Sequence, residues 1–270
     1  MDPVAQRLQL ALSASAEAAA VIRRYFLRGD MDVEHKADMS PVTAADREAE
    51  ALLRERIEAA FPDDGIVGEE FGEKPGSSGY TWILDPLDGT KSFIHGVPLF
   101  GTLVGIRRGD DLVAGVCRFP ALDEVIWAGR GGGAWWQVGN GLPRAARVSV
   151  VDRLADATFC TTTFTGWREA GRRAAFEALA ERCGLVRGWG DCYGHMLVAT
   201  GRAELMIDPL LNAWDAAALV PIVEEAGGAF VSLDGRRTID AGNGLSVNAA
   251  LKDDVLAVLA AHPAVDTPPP

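Results

Sequence analysis

Trp82-Ile83-Leu84-Asp85-Pro86-Leu87-Asp88-Gly89-Thr90 is the stretch on which the reading of this chain turns. Three apolar residues run into two carboxylates three apart, and a glycine and a hydroxyl close the segment. That order predicts a buried strand beneath the acids and a tight turn around them. Asp85 and Asp88 then point into one small space at a strand end, beside the backbone N–H groups of Gly89 and Thr90. Two carboxylates so close repel one another unless a cation lies between them. An oxygen-only site of this kind suits Mg²⁺, which keeps waters and takes phosphate oxygens as further ligands. Cation, amides and hydroxyl together point to phosphate chemistry. Taken alone, the segment reads equally well as a plain strand-to-loop junction, because Asp-Pro and Asp-Gly are common turn pairs.

Two further acid clusters also lie at the ends of elements. Upstream, Asp63-Asp64-Gly65-Ile66-Val67-Gly68-Glu69-Glu70 carries a short apolar strand into acids. Downstream, Asn212-Ala213-Trp214-Asp215-Ala216-Ala217-Ala218-Leu219 opens a helix with an acid in its first turn. Asp215 is also what any helix N-terminus favours, and Glu69 with Glu70 also fits a solvated loop. Three clusters together outweigh those readings.

Gly68-Glu69-Glu70, Asp85-Pro86-Leu87-Asp88-Gly89-Thr90 and Trp214-Asp215 resemble the three motifs of the inositol monophosphatase family. Val42-Thr43-Ala44-Ala45-Asp46 ahead of them and Glu224-Glu225-Ala226-Gly227-Gly228 after them fit the same pattern, so the resemblance runs from about residue 5 to 262. It implies an α+β fold, a layered α-β-α-β-α sandwich, and a Mg²⁺-dependent, lithium-sensitive phosphatase. It also implies a ligand set: Glu69, Asp85 and the Leu87 carbonyl on one Mg²⁺, and Asp85, Asp88 and Asp215 on a second. A weaker third ion would lie near Glu69, with Glu70 outside it. Thr90, Asp46 and Glu69 form the implied catalytic set, in which Thr90 orients water and relays a proton to Asp46. Thr43 doubles as a helix N-cap. Glu69, Leu87, Asp88, Gly89, Thr90 and Asp215 would surround the substrate phosphate, with the Lys91 amide beside them.

Selectivity is expected from the second half. Gly190-Asp191-Cys192-Tyr193-Gly194-His195 places an aspartate where an inositol-directed relative has small neutral residues. That charge favours a substrate bearing an ammonium or imidazolium group, and the segment resembles the histidinol-phosphate phosphatase branch. Asp208, seven residues before Asp215, is a second candidate for such a contact. Asp191 equally fits a helix cap, His195 a packed or surface histidine, and Trp189 and Trp214 core residues. The competing substrate reading is inositol 1-phosphate or a broad range of sugar phosphates. A non-catalytic phospholigand-binding relative would show a broken acid set, and this set is complete.

Composition agrees. The chain has 270 residues, 48% hydrophobic and 24% charged, enough for one large core with two lobes. A net charge of −12 argues against nucleic acid and offers no basic patch for a membrane. Cys117, Cys160, Cys183 and Cys192 have no zinc spacing and are too sparse for a disulfide scaffold, so reduced thiols in the cytoplasm are expected. No segment reads as a leader or a membrane span. A homodimer and a small phosphorylated metabolite as partner follow from the resemblance.

Residues 1–262 read as one domain, with a lobe to about 150 holding most metal ligands and a lobe from 151 setting selectivity. A tail at 263–270, Pro-rich from Thr267, is expected to be disordered. Helices are predicted at 4–28 and 43–60, then strands near 66–68, 81–85, 100–107, 112–119, 125–129 and 134–137. The second lobe should contain a strand at 157–162, helices at 171–183 and 192–200, a strand at 203–207, and helices at 214–226 and 249–261.

Overall fold

The computed structural model describes residues 2–28, 33–35 and 41–265. The expected tail falls outside them from residue 266 on; just before that point, Val265 N still donates to Gly171 O at 3.0 Å.

Helix α1 (Pro3–Tyr25) starts on Asp2, whose carboxylate accepts from the Val4 and Ala5 amides. The short pair β1 (Val33–His35) and β2 (Pro41–Thr43) is antiparallel and leads into α2 (Ala44–Ala60). Both helices turn small residues inward, Ala11, Ala14 and Ala18 from one and Ala45 and Ala49 from the other. That lets them lie close together on a broad sheet.

The sheet contains β3 (Gly65–Gly68), β4 (Gly72–Lys74), β5 (Tyr80–Asp88), β6 (Gly101–Arg108), β7 (Asp111–Phe119), β8 (Glu124–Gly129), β9 (Ala134–Val138) and β10 (Arg144–Ala146). Their order across it is β10-β9-β8-β7-β6-β5-β3-β4. Only the β3–β5 pair is parallel. Strand parity sorts the side chains: Trp82 and Leu84 pack toward α1 and α2, while Ile83 packs the other way. At the sheet's edge Asp64 is buried and takes a bidentate Arg7 at 2.7 Å to each oxygen, plus Ser78 and the Trp82 indole.

A short helix α3 (Thr90–Ile94) leaves the end of β5. The second sheet has order β12-β11-β13-β15-β14, from β11 (Thr158–Cys160), β12 (Leu185–Arg187), β13 (Leu205–Asp208), β14 (Ala229–Val231) and β15 (Gly244–Val247). Helices α4 (Phe164–Glu169), α5 (Arg173–Arg182) and α9 (Lys252–Ala261) belong to its outer side, where Leu179 and Val255 join Phe159, Leu205 and Ile207. Its inner side meets α6 (Asp191–Ala199), α7 (Ala213–Ala217) and α8 (Leu219–Glu225), which also cover the free face of the first sheet. The layers therefore run α1/α2, sheet, α6–α8, sheet, α5/α9, the α-β-α-β-α sandwich.

Some boundaries differ from the sequence expectation. The helix expected at 214–226 is two helices, because Pro221 lacks the N–H that would bond to Ala217 O. Strands β1, β2, β4, β10, β12, β14 and β15 and helices α3 and α4 are absent from the sequence expectation; each has three to six residues, too few to show a period. Among the described residues, no helix is long and apolar enough to cross a membrane.

Candidate active site

Residues three apart on a regular strand point to opposite faces. Asp85 and Asp88 do not, because the β5–β6 register shifts between them: Asp85 pairs with Leu103, while Asp88 pairs with Gly101. One extra residue is bulged out at Pro86-Leu87, where proline has no amide to lose. Leu87 turns back into the α1/α2 core and both carboxylates face the middle layer. The turn is locked locally. Asp85 Oδ1 accepts the Leu87 amide at 3.0 Å, and Thr102 Oγ1 donates to Pro86 O at 2.9 Å. Gly89 follows with φ +82°, and a Cβ there would approach Leu99 O at 2.9 Å and Asp191 Oδ2 at 3.1 Å.

Thr90 opens α3 with Oγ1 at 3.3 Å from Asp46 Oδ1 and 3.0 Å from Leu87 O. Asp46 is buried at the start of α2, where its Oδ2 accepts from Thr43 N at 2.8 Å and Thr43 Oγ1 at 2.6 Å. The capping role and the contact with Thr90 coexist, one on each carboxylate oxygen. Glu69 follows β3, with its amide on Leu84 O at 3.2 Å. Burial raises Asp46, Asp85 and Asp215, and the Glu69 charge adds to the shift at each; the closely spaced group of oxygens is formed by Asp85, Asp88 and Asp215, without Glu69.

Asp215 reaches that space because α7 lies directly on the sheet. Gly105 and Gly115 pair across β6 and β7, and a Cβ on Gly115 would come within 2.2 Å of Ala218 O. The glycines and Ala216-Ala217-Ala218 make a close backbone-to-sheet contact that no larger residue permits. Asp215 Oδ2 also accepts the Asn212 amide at 2.8 Å, closing a capping box.

The second lobe adds Asp191, Asp208 and His195. Asp191 is the first residue of α6, held at φ +53° with its amide on Thr162 Oγ1 at 2.7 Å. Its side chain does not cap the helix; Oδ2 accepts from Ser92 Oγ at 3.1 Å. The α6 amide at Cys192 is taken by Asp88 Oδ2 at 2.5 Å, so the central motif of the first lobe caps a helix of the second. Asp208 ends β13 and accepts Thr162 N at 3.2 Å, with its other oxygen 3.2 Å from His195 Nε2. His195 is buried, and its Nδ1 lies 2.7 Å from Ser246 Oγ. Asp88, Asp191, Asp208, Asp215, His195 and Thr162 line a cavity of about 90 Å³. Trp189 is exposed and Trp214 half-buried at the margin of the core, so neither is a fully buried core residue.

Asp85, Asp88 and Asp215 each offer one oxygen within 4.8 Å of the others. Burial pushes Asp85 and Asp88 well above the carboxylate range, and the neighbouring acids push them further. Burial raises Asp215 to about 6. Burial, then the Asp208 charge, raises Asp191 to about 7. Such a group of hard oxygens, unstable when all ionised, fits a divalent cation. Sequence reasoning missed Ser246 and Thr162, which hold His195, Asp191 and Asp208 in place; Ser246 is a lone hydroxyl in an apolar strand, and nothing in the run Thr161-Thr162-Thr163 singles out its middle residue.

An α-β-α-β-α sandwich with three carboxylates converging on one space at the end of β5 is the architecture of a metal-dependent phosphatase class. The model of the inositol monophosphatase family matches residues 4–264. The chain belongs to that family. A histidinol-phosphatase of Chlorobaculum parvum is 46% identical over 253 residues, 93% of this chain and 96% of the relative. An inositol-1-monophosphatase of Rhizobium meliloti is 35% identical over 76% of this chain and 77% of its own length. The structure of the extragenic suppressor protein suhB from Bartonella henselae superposes with a TM-score of 0.85 at 28% identity, covering 94% of this chain and 98% of that one.

Proposed function

We propose that this chain is a Mg²⁺-dependent phosphoric monoester hydrolase whose substrate is histidinol phosphate, cleaved to histidinol and inorganic phosphate. Glu69, Asp85, Asp88, Asp215 and the Leu87 carbonyl would hold two or three Mg²⁺ ions. Bound there, the cation supplies the positive charge that phosphoryl oxygens and a departing alkoxide need. The remaining chemistry belongs to the chain. Water attacks phosphorus as the ester P–O bond breaks. The water's proton passes to Thr90 Oγ1 while the Thr90 proton moves to Asp46 Oδ1, 3.3 Å away. Burial raises Asp46 and so suits it to accept. The alkoxide takes up a proton from solvent and Asp46 releases its own to solvent, so that one water is consumed for each ester cleaved. Glu69 completes the catalytic set by ordering the water, and the amides of Gly89 and Thr90 seat the phosphate.

The observation that carries the substrate reading is the pair Asp191 and Asp208 on the cavity wall, beyond the metal cage. A neutral polyol can donate hydrogen bonds to the buried Asp208 and half-buried Asp191 but leaves their charge uncompensated, whereas an ammonium or imidazolium neutralises it. The greater identity to the relative named histidinol-phosphatase supports the same choice. The reading treats residues 1–262 as one catalytic unit, with the lobe to about 150 supplying most of the cage and the remainder selecting the substrate. It places the enzyme in the cytoplasm as a homodimer, for which sedimentation of the purified chain is the check.

Assay of the purified protein against histidinol phosphate and inositol 1-phosphate at one Mg²⁺ concentration tests the proposal. Clear preference for the inositol ester overturns it. Asp191→Ala is expected to raise KM for histidinol phosphate about tenfold or more while leaving KM for a neutral sugar phosphate within about twofold, the loss of one buried charge contact. Equal rises for both esters would reduce Asp191 to a structural role.

A further inference from the structure

Glu50 lies on α2 with its side chain 0% exposed, far in sequence from either Asp85 or Asp215. Its carboxylate is spent on one target. Oε2 accepts the Glu70 amide at 2.7 Å, and Oε1 accepts the Phe71 amide at 3.2 Å. Arg54, one turn on, donates from Nε to Oε1 at 2.7 Å and from its other arm to Gly72 O. With the Glu69 amide on Leu84 O, each residue from 69 to 72 has a backbone group clamped, from β5 on one side and from α2 on the other. The packing leaves no tolerance. A Cβ on Gly68 would fall 2.0 Å from Glu50 Oε1 and 2.5 Å from its Cδ. The glycine of Gly68-Glu69-Glu70 is thus the space into which the Glu50 carboxylate fits.

We propose that Glu50, oriented by Arg54, is a positioning residue for Glu69: it fixes the loop so that the Glu69 carboxylate reaches the cation site without paying to order the backbone at each binding event. The proposal rests on the reading of the acids as a Mg²⁺ cage. Partners that orient a metal ligand typically contribute about 10–100-fold to metal affinity when removed. Glu50 meets the same requirement through backbone amides.

Isothermal titration of the full-length protein with MgCl₂ tests it, alongside the rise in unfolding temperature that Mg²⁺ produces. Glu50→Ala should weaken Mg²⁺ binding about tenfold or more. Glu50→Gln, which keeps the shape but turns one acceptor into a donor facing Arg54, should weaken it severalfold. Asp64→Asn serves as the control for a buried structural acid: it should lower the unfolding temperature and leave Mg²⁺ affinity unchanged. With Glu50→Ala, kcat should recover at saturating Mg²⁺. Wild-type affinity in folded Glu50→Gln and Glu50→Ala overturns the proposal. If Glu50→Ala does not fold, wild-type affinity in Glu50→Gln and Arg54→Met overturns it alone. A wild-type protein that binds no Mg²⁺ overturns the cage reading, and this proposal with it.

Discussion

Thr90 carries one hydroxyl proton and has two acceptors within reach, Asp46 Oδ1 and Leu87 O. That sharing leaves a lone pair of Oγ1 free to accept from water, and Asp46 cannot swing away because Thr43 grips its other oxygen twice. Thr90→Val keeps the shape and removes the proposed relay. It should lower kcat about 10²-fold or more, in the range of a lost general-base path, and leave KM within a few-fold. Steady-state kinetics at saturating Mg²⁺ decide this. A proportionate rise in KM with kcat intact would place Thr90 in substrate binding instead. Asp191 shows another residue-scale constraint: a non-glycine at φ +53° is costly, and here Thr162 and Ser92 hold it.

Two elements bring Asp85, Asp88 and Asp215 together, the bulged end of β5 and the α7–α8 pair. The second depends on Gly115, where an added methyl would meet backbone rather than a movable side chain, Ala218 O at 2.2 Å. Gly115→Ala should therefore lift α7 from the sheet, destabilise the protein by about 1–3 kcal/mol, and weaken Mg²⁺ binding through displaced Asp215. Urea unfolding and Mg²⁺ titration measure the two effects separately; unchanged stability would mean the contact is slack. Asp85, Asp88 and Asp215 were legible in the sequence because each ends or opens an element whose apolar run precedes or follows it. The bulge was not, since nothing in Asp-Pro-Leu-Asp states how many residues of β6 lie opposite. Glu50 was hidden for a different reason: on α2 it reads as one more helix glutamate, and only the approach of β3 gives it partners. The long strands β5 to β8 were legible as continuous apolar runs, buried on both faces, but β12 and β14 were too short, and the α7–α8 break needed Pro221 to be weighed against an otherwise continuous apolar run.

Across the whole molecule the two lobes share one interior: Phe119 and Ile126 of the first sheet pack in the same cluster as Met196, Val223 and Phe230 from the second half. The acids lie at the edge of that shared interior, so their charge acts on the stability of the entire fold. The sign follows from proton counts. Asp215 at about 6 and Asp191 at about 7 lie above the value of about 4 that a carboxyl has in the unfolded chain. Between those limits the folded state binds more protons than the unfolded one, so metal-free stability is highest below about pH 4 to 5 as far as these groups are concerned, and falls as pH rises through about 7. Asp85 and Asp88, raised further, continue the trend in the same direction. On the proposed cage, Mg²⁺ would reverse it by stabilising the ionised carboxylates, and would bind better as they lose protons. The unfolding temperature in EDTA should accordingly drop between pH 5 and pH 7.5, and the increment produced by Mg²⁺ should grow over the same interval. Calorimetric scans at matched ionic strength give both curves. A metal-free stability that rises across that interval would show that the acids are not confined together and that the cage does not exist in solution.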